Sequence, residues 1–137
     1  MDKKKIVIVE DGYLLAKNIQ KQLEKKGINV LSIEDEGETF ISNIRSASYS
    51  PDLVLMDVQL AGDLDGFETA YELRKLSDVP VIFMTAYTDR ISFFHIESFK
   101  DCDFLIKPFP FQELYTKISL IFRAIERRKI LNKKSLI

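Results

Sequence analysis

Residues able to do chemistry stand directly after four short apolar runs of the sequence. Glu10 and Asp11 follow the first run, Asp57 follows the third, Thr85 the fourth and Lys107 the fifth. Carboxylate oxygens with no His or Cys beside them form the ligand set of Mg²⁺, a hard cation that binds together with phosphate groups. A carboxylate can also be the nucleophile that takes a phosphoryl group, while a lysine and a hydroxyl hold the phosphoryl oxygens. These residue types therefore indicate Mg²⁺-assisted phosphoryl transfer to Asp57.

These residues can meet only if the apolar runs are parallel strands of one sheet. Residues 53–56 are all apolar, which is typical of a strand buried on both faces. Strands are predicted at 5–10, 28–33, 53–57, 79–84 and 103–106, and a segment with helical periodicity follows each of them. This alternation predicts an α/β fold, a flavodoxin-like (βα)5 three-layer sandwich with the parallel sheet order 2-1-3-4-5. In that fold the carboxyl ends of the strands share one edge of the sheet, so the reactive residues come together there.

Length and composition restrict the classes of function that fit the chain. The 137 residues suffice for one domain with its own core, and the net charge of −1 gives no reason to expect a nucleic-acid partner. Cys102 is the only cysteine, so a disulfide framework is excluded. The longest apolar stretch, residues 79–84, is far shorter than the about 20 residues of a membrane-spanning helix. We therefore expect a cytoplasmic protein without a membrane partner.

The arrangement resembles the receiver domain of two-component response regulators over about residues 4–125. That family has an acidic pair, a phosphoacceptor Asp, a Thr or Ser before a small residue and a Lys-Pro pair, which correspond here to Glu10-Asp11, Asp57, Thr85-Ala86 and Lys107-Pro108. The resemblance implies that Asp57 receives a phosphoryl group from the phosphohistidine of a sensor histidine kinase or histidine phosphotransfer protein. It also implies Mg²⁺ held by Asp11, Asp57 and the backbone carbonyl of Gln59, with Glu10 acting largely through water. The Lys107–Pro108 bond would be cis.

The resemblance also implies a signalling switch rather than an enzyme. On this interpretation residues 1–125 form the receiver domain, and residues 126–137 form a basic helical extension or linker stub. The stretch from 111 to 131 contains no Gly or Pro, which predicts that the last helix continues past Ile125 to about Leu131. The surface for a downstream protein or a second copy of the chain should be the fourth helix, fifth strand and fifth helix. Phenylalanines concentrate there: Phe93, Phe94, Phe99, Phe104, Phe109 and Phe111.

The sequence departs from the commonest family pattern at Glu10, Gly62 and Phe104. Glu10 stands where Asp is usual, and a bridging water should absorb the extra methylene. Gly62 makes the loop after the third strand one residue longer, which we expect to leave the chemistry unchanged. Phe104 stands where a switch aromatic is often Tyr, so it can pack inward but cannot donate a hydrogen bond. Gln59 and Tyr87 occupy positions that line the approach of attacking water in this family, which makes them candidates to tune the lifetime of the phosphorylated state.

Other classes of protein share part of this pattern. A haloacid dehalogenase-type phosphatase or phosphotransferase also uses a strand-end Asp, Mg²⁺, a Thr and a Lys, but it has a second Asp two residues after the nucleophile, where this chain has Gln59. A flavodoxin-type cofactor binder needs a hydroxyl- and glycine-rich loop after the first strand, whereas Glu10-Asp11 would repel a phosphate. The principal alternative is a receiver-like module that binds protein partners without being phosphorylated. All the reactive residues are present, which favours the phosphorylated switch.

Overall fold

The computed structural model describes residues 3–86 and 102–135 of the chain. Its elements, in chain order, are β1 (Lys5–Val9), α1 (Tyr13–Lys25), β2 (Asn29–Glu34), α2 (Gly37–Arg45), β3 (Leu53–Asp57), α3 (Gly66–Arg74), β4 (Val81–Ala86), β5 (Cys102–Lys107) and α4 (Phe111–Ser135). The helix predicted between β4 and β5 lies outside the described residues, as do Tyr87, Phe93, Phe94 and Phe99. The label α4 therefore denotes the fifth helix of the sequence prediction.

The strands form one parallel sheet in the order β2-β1-β3-β4-β5, which confirms the predicted topology. Every residue of β3 is buried, because this strand pairs with β1 on one side and β4 on the other. The register of β1 against β3 brings Glu10 beside Asp57. β4 pairs with β5 so that Ala86 lies opposite Lys107. The pairing thus gathers the predicted reactive residues at the carboxyl edge of the sheet.

Two hydrophobic cores lie on the two faces of the sheet. The first lies between the sheet and helices α1 and α4, and the second between the sheet and helices α2 and α3. β1 contributes alternate residues to them, Ile6 and Ile8 to the first and Val7 and Val9 to the second, and all are fully buried. Burial of one such side chain contributes about 1.5–3 kcal/mol. The two cores therefore fix the strands whose ends carry the site.

The connection from β3 to α3 packs tightly against the end of β3. Asp65 caps α3: its carboxylate accepts the Glu68 N–H at 2.8 Å, and the Glu68 carboxylate accepts the Asp65 N–H at 3.0 Å. The Gly66 N–H donates to the Val58 carbonyl oxygen at 2.7 Å. A Cβ at Gly66 would overlap the Asp57 backbone carbonyl, so only glycine fits there. This connection fixes the backbone that follows Asp57.

Several strand ends differ from the sequence prediction by one or two residues, and α2 ends earlier than its apolar spacing indicates. β4 begins at Val81 rather than Val79, because the intervening Pro80 has no N–H to donate to a neighbouring strand. The apolar spacing of Phe40, Ile44 and Ala47 places them on one face of the second predicted helix, but Ala47 is exposed beyond the end of α2 with a φ of 57°. The helix already ends at Arg45, so apolar spacing alone extended it too far.

α4 is much longer than the strands it packs against. Its 25 residues span about 37 Å at about 1.5 Å per residue. The helix continues past Leu131 to Ser135, because Lys133 and Lys134 in its last turn interact favourably with the helix dipole. Among the described residues, no helix combines the length and apolar character needed to cross a membrane. The division of the chain at residue 125 stays a prediction.

Candidate functional site

Glu10, Asp57, Thr85 and Lys107 converge at the carboxyl edge of the sheet. The first three are buried, with exposed fractions of 3%, 4% and 0% respectively. Acidic side chains are rarely this buried unless they are paired with a cation or bind a metal ion. The carboxyl edge of the sheet is therefore a candidate binding site rather than ordinary solvent-exposed surface.

Three carboxylates form the acidic part of this site. Glu10, Asp11 and Asp57 each present an oxygen, and these oxygens all lie within 4.8 Å of one another. The Gly12 N–H donates to Glu10 Oε2 at 2.9 Å, and the Gln59 N–H donates to Asp57 Oδ1 at 3.2 Å. Asp11 is exposed, so the cluster is accessible from solvent. An oxygen-only donor set of this kind fits a hard divalent cation such as Mg²⁺.

The Lys107 side chain joins the two buried carboxylates. Its Nζ lies 2.7 Å from Glu10 Oε1 and 3.2 Å from Asp57 Oδ2. The side chain also lines a cleft of about 330 Å³ together with the three carboxylates and Ala86. The peptide bond from Lys107 to Pro108 is cis, as predicted. One ammonium group is thus shared by two acids at the floor of an open cleft.

Burial, hydrogen bonds and mutual repulsion shift the pKa values of the three carboxylates. Burial and the adjacent Glu10 raise the pKa of Asp57 from 3.8 to about 7, against the attraction of Lys107. Burial and Glu10 also raise the pKa of Asp11. For Glu10, burial is outweighed by hydrogen bonds with Asp57, Lys107 and the Gly12 N–H, so its pKa is lowered. Without a metal ion, Asp57 therefore readily holds a proton near neutral pH.

Thr85 and Ala86 end β4 beside the cleft. The Thr85 side chain is fully buried, and its hydroxyl donates to the Ala86 carbonyl oxygen at 3.2 Å. Ala86 lines the cleft with only a methyl group, which leaves space in front of Asp57. The Thr85 hydroxyl would have to rotate away from the backbone to contact a group bound in that space.

Two features around the site were not predicted from the sequence. Gly66 allows the start of α3 to lie against the end of β3. Glu38 of α2 accepts the Leu64 N–H at 2.6 Å, although the two residues are 26 apart in sequence. The glycine at the start of a helix can be recognised in the sequence, whereas no local sequence pattern identifies Glu38.

Phe104, at the position of the switch aromatic, is half-buried against the core of α2 and α3.

The chain matches the family described as response regulator receiver domain over residues 6–119. This range extends from β1 into α4 and includes every residue of the site. The chain therefore belongs to the response regulator receiver family, which confirms the resemblance seen in the sequence. It is a receiver domain of the kind found in the response regulators of two-component systems.

Curated relatives agree with this assignment. The chain is 34% identical over 130 residues to "Probable transcriptional regulator ycf27" of Porphyridium aerugineum, which covers 93% of this chain and 51% of that protein. It is 31% identical over 120 residues to "Response regulator protein GraR" of Staphylococcus aureus, which covers 88% of this chain and 52% of that protein. The chain thus spans about half the length of the curated relatives it matches.

Solved structures with the same fold are also receiver domains. One is the N-terminal domain of a response regulator/sensory box/GGDEF 3-domain protein from Carboxydothermus hydrogenoformans, with a TM-score of 0.81, 35% identity and coverage of 91% of this chain and 98% of that chain. Another is the signal receiver domain of a modulated diguanylate cyclase from Desulfovibrio desulfuricans, with a TM-score of 0.81, 32% identity and coverage of 93% and 99%. These similarities confirm the flavodoxin-like fold.

Proposed function

We propose that Asp57 accepts a phosphoryl group from the phosphohistidine of a sensor histidine kinase or histidine phosphotransfer protein. The observation that supports this most strongly is a carboxylate only 4% exposed, 3.2 Å from Lys107 Nζ, at the end of a central strand. An Asp57 oxygen attacks phosphorus and forms the new P–O bond. The P–N bond breaks, and the imidazole nitrogen leaves with the bonding electron pair. The phosphorylated Asp57 then alters the protein contacts of the domain.

Mg²⁺ fits the acidic cluster because its donors are oxygens and its carboxylates repel one another without a cation. Asp11, Asp57 and the backbone carbonyl of Gln59 would hold the ion, with Glu10 acting mainly through water. When bound, Mg²⁺ supplies positive charge that offsets the carboxylates and the phosphoryl oxygens. Asp57 is then fully ionised, which is the form that acts as a nucleophile.

Lys107 and Thr85 would hold the oxygens of the transferred group. The Lys107 ammonium can keep its contact with Asp57 while it moves from Glu10 to a phosphoryl oxygen. The Thr85 hydroxyl can rotate from its backbone acceptor to the same group. Because these residues promote only the phosphorylation and dephosphorylation of their own chain, we infer a switch rather than an enzyme.

We expect Mg²⁺ to be required for phosphorylation and to stabilise the folded protein. An ion that binds only the folded state adds about 2.7 kcal/mol at one hundred times its dissociation constant, which raises Tm by about 10 °C. The measurement compares the intact mass of the chain after incubation with a small-molecule phosphodonor, in Mg²⁺ or in EDTA. Thermal unfolding of the same samples gives Tm.

Adding excess Mg²⁺ back to the EDTA sample is the control and should restore both labelling and Tm. Equal labelling in EDTA would show that the acidic cluster is not the metal site. A protein that binds Mg²⁺ but is never labelled would favour the alternative, a receiver-like module that acts without phosphorylation.

We infer that the phosphorylated state acts through the surface formed by the fourth predicted helix, β5 and α4. Phe104, Phe109 and Phe111 are half-buried there, and Ile106 is 43% exposed. Phe104 packs against the core of α2 and α3, and Phe109 and Phe111 against the core of α1 and α4, so partly exposed apolar side chains border β5 on both faces of the sheet. Such exposure is typical of a protein contact. The partner is a downstream protein or a second copy of this chain.

We expect removal of residues 127–137 to leave phosphorylation of Asp57 intact. Arg128 lines a cleft with Lys4 and Pro51, which precede β1 and β3. The removed segment therefore begins near the edge of the sheet opposite Asp57. Its last described apolar residues are about half exposed, so little buried area is lost. Labelling in Mg²⁺ and urea unfolding of the truncated chain test the prediction.

A longer deletion that starts at residue 121 provides the comparison. It also removes Ile121 and Phe122, which pack against the core, and should lower the free energy of unfolding by about 2–3 kcal/mol. Loss of labelling in the shorter deletion would mean that residues 126–137 belong to the domain and are not an extension.

A further inference from the structure

The loop between β3 and α3, residues 58–65, is held against the start of α2. The Leu64 N–H donates to Glu38 Oε1 at 2.6 Å. Gly62 has a φ of +94°, and a Cβ at this position would overlap the Glu38 carboxylate. The backbone of the loop therefore closes around one half-buried acidic side chain of α2.

The same loop is fixed beside Asp57 at its other end. The Gln59 N–H donates to Asp57 Oδ1 at 3.2 Å. Farther along, Ala61 forms an isolated parallel β-bridge with Glu36, the residue that precedes α2. Gln59 therefore lies between Asp57 and the loop's contacts with Glu36 and Glu38, and a movement of the loop would displace it.

We propose that Glu38 is a positioning residue of the site, which acts through the 58–65 loop on the backbone carbonyl of Gln59. The inference rests on the proposed function, in which that carbonyl is a Mg²⁺ ligand. A hydrogen bond to a carboxylate is stronger than one between neutral groups, so it holds the loop in one conformation. Without this hydrogen bond, the Gln59 carbonyl occupies its ligand position for only part of the time. The apparent Mg²⁺ affinity then falls in proportion to that fraction.

This role also accounts for Gly62. From the sequence, we expect the additional loop residue to leave the chemistry of the site unchanged. In the structure, its missing side chain and its left-handed backbone allow the loop to approach Glu38. The additional residue therefore takes part in positioning the site.

Glu38 also lies in the first turn of α2, where a carboxylate stabilises a helix through its dipole. That contribution alone would change the stability of the fold without changing the Mg²⁺ affinity of the folded protein. Glu113 occupies the first turn of α4 and is exposed. Glu113→Ala is therefore a matched control, because it removes a similar helix contribution away from the loop.

The test compares Glu38→Ala, Glu38→Gln and Glu113→Ala in the full chain. Calorimetric titration gives the Mg²⁺ affinity, and hydrogen exchange reports on the Leu64 amide. We expect Glu38→Ala to weaken Mg²⁺ binding about threefold to tenfold. Removing a residue that directly supports a metal ligand typically weakens metal binding about tenfold or more, and Glu38 acts less directly. Exchange at Leu64 should become faster. Glu38→Gln keeps an acceptor oxygen without its charge and should weaken Mg²⁺ binding less than Glu38→Ala does. Glu113→Ala should stay within about twofold of the parent.

Phosphorylation by a small phosphodonor supplies a second readout. In Glu38→Ala, the Mg²⁺ concentration for half-maximal labelling should rise by the same factor, with the rate at saturating Mg²⁺ within about twofold of the parent. A purely structural role would lower the folded fraction without shifting that concentration. Gly62→Ala strains the same contact from the loop side and should give the same shift, even if Glu38→Ala does not fold.

Unchanged Mg²⁺ affinity and unchanged Leu64 exchange in folded Glu38→Ala or Gly62→Ala would overturn the proposal. An equal shift in Glu113→Ala would also overturn it. If the parent binds Mg²⁺ but is not phosphorylated, the proposed function is wrong, and the Mg²⁺ titration still decides whether Glu38 positions the loop.

Discussion

Replacing Asp57 by Asn should reduce phosphorylation by a small phosphodonor to background. The amide is a poor nucleophile, and the other carboxylates of the cluster do not take its place at the end of the central strand. Asp63→Asn is the matched control, because Asp63 is exposed in the loop that follows Asp57. We expect that control to be labelled like the parent. Equal labelling of Asp57→Asn would move the acceptor to another residue.

The same substitution should stabilise the metal-free fold. The pKa of Asp57 is raised from 3.8 to about 7, so the folded state binds this proton more tightly than the unfolded chain does. Stability should therefore fall as the pH rises from about 4 to about 7 and remain low above that range. Asp57→Asn has no such proton to lose, and we expect it to gain about 2–3 kcal/mol over the parent at pH 8 in EDTA.

Urea unfolding in EDTA at a series of pH values measures this difference. The stabilities of parent and variant should diverge between about pH 4 and pH 7, with the variant more stable at the higher pH. Asp63→Asn should follow the parent throughout. Parallel curves for the parent and Asp57→Asn would show that Asp57 is already ionised in the metal-free protein.

Replacing Lys107 by Met should lower both the free energy of unfolding and the rate of phosphorylation. The Lys107 ammonium lies 2.7 Å from a Glu10 oxygen and 3.2 Å from an Asp57 oxygen. Its loss leaves the negative charges of the buried acids unbalanced. We expect the free energy of unfolding in EDTA to fall by about 2 kcal/mol, less than for a fully buried pair because the lysine is a quarter exposed. Loss of the charge that holds a phosphoryl oxygen should slow labelling about 100-fold to 1,000-fold at saturating Mg²⁺.

Lys117→Met is the control for this substitution. Lys117 Nζ lies 3.2 Å from Asp103 Oδ1, but that pair is more exposed, so its loss should cost at most about 1 kcal/mol and leave labelling unchanged. Combining Lys107→Met with Asp57→Asn should recover part of the lost stability, because one of the unpaired carboxylates is removed. A Lys107→Met protein labelled at the parental rate would exclude Lys107 from phosphoryl transfer.

The sheet could be predicted from the sequence because its central strands are buried on both faces. Such burial leaves a continuous apolar run in the sequence, and β3 has the predicted bounds of 53–57. The rule that ligands bind at the carboxyl ends of parallel strands then identified Asp57, Thr85 and Lys107 as neighbours. Both inferences depend on patterns that are local in sequence or general to the fold.

Contacts between distant segments leave no such pattern. The bond between Leu64 and Glu38 depends on how the 58–65 loop crosses α2, and the sequence contains no periodicity or motif that reports it. The pairing of Lys107 with Glu10 as well as Asp57 likewise follows from side-chain positions rather than from spacing. Helix and strand ends shifted for a related reason, because Pro80 and Ala47 act through backbone geometry and not through hydrophobicity.

Mass-spectrometric mapping of the full chain, after incubation with a small phosphodonor and Mg²⁺, identifies the residue that accepts the phosphoryl group. We expect one phosphoryl group, carried by the peptide that contains Asp57 and located on that residue by fragmentation. A phosphoryl group on any other residue would contradict this expectation. So would a folded, Mg²⁺-bound protein that carries none.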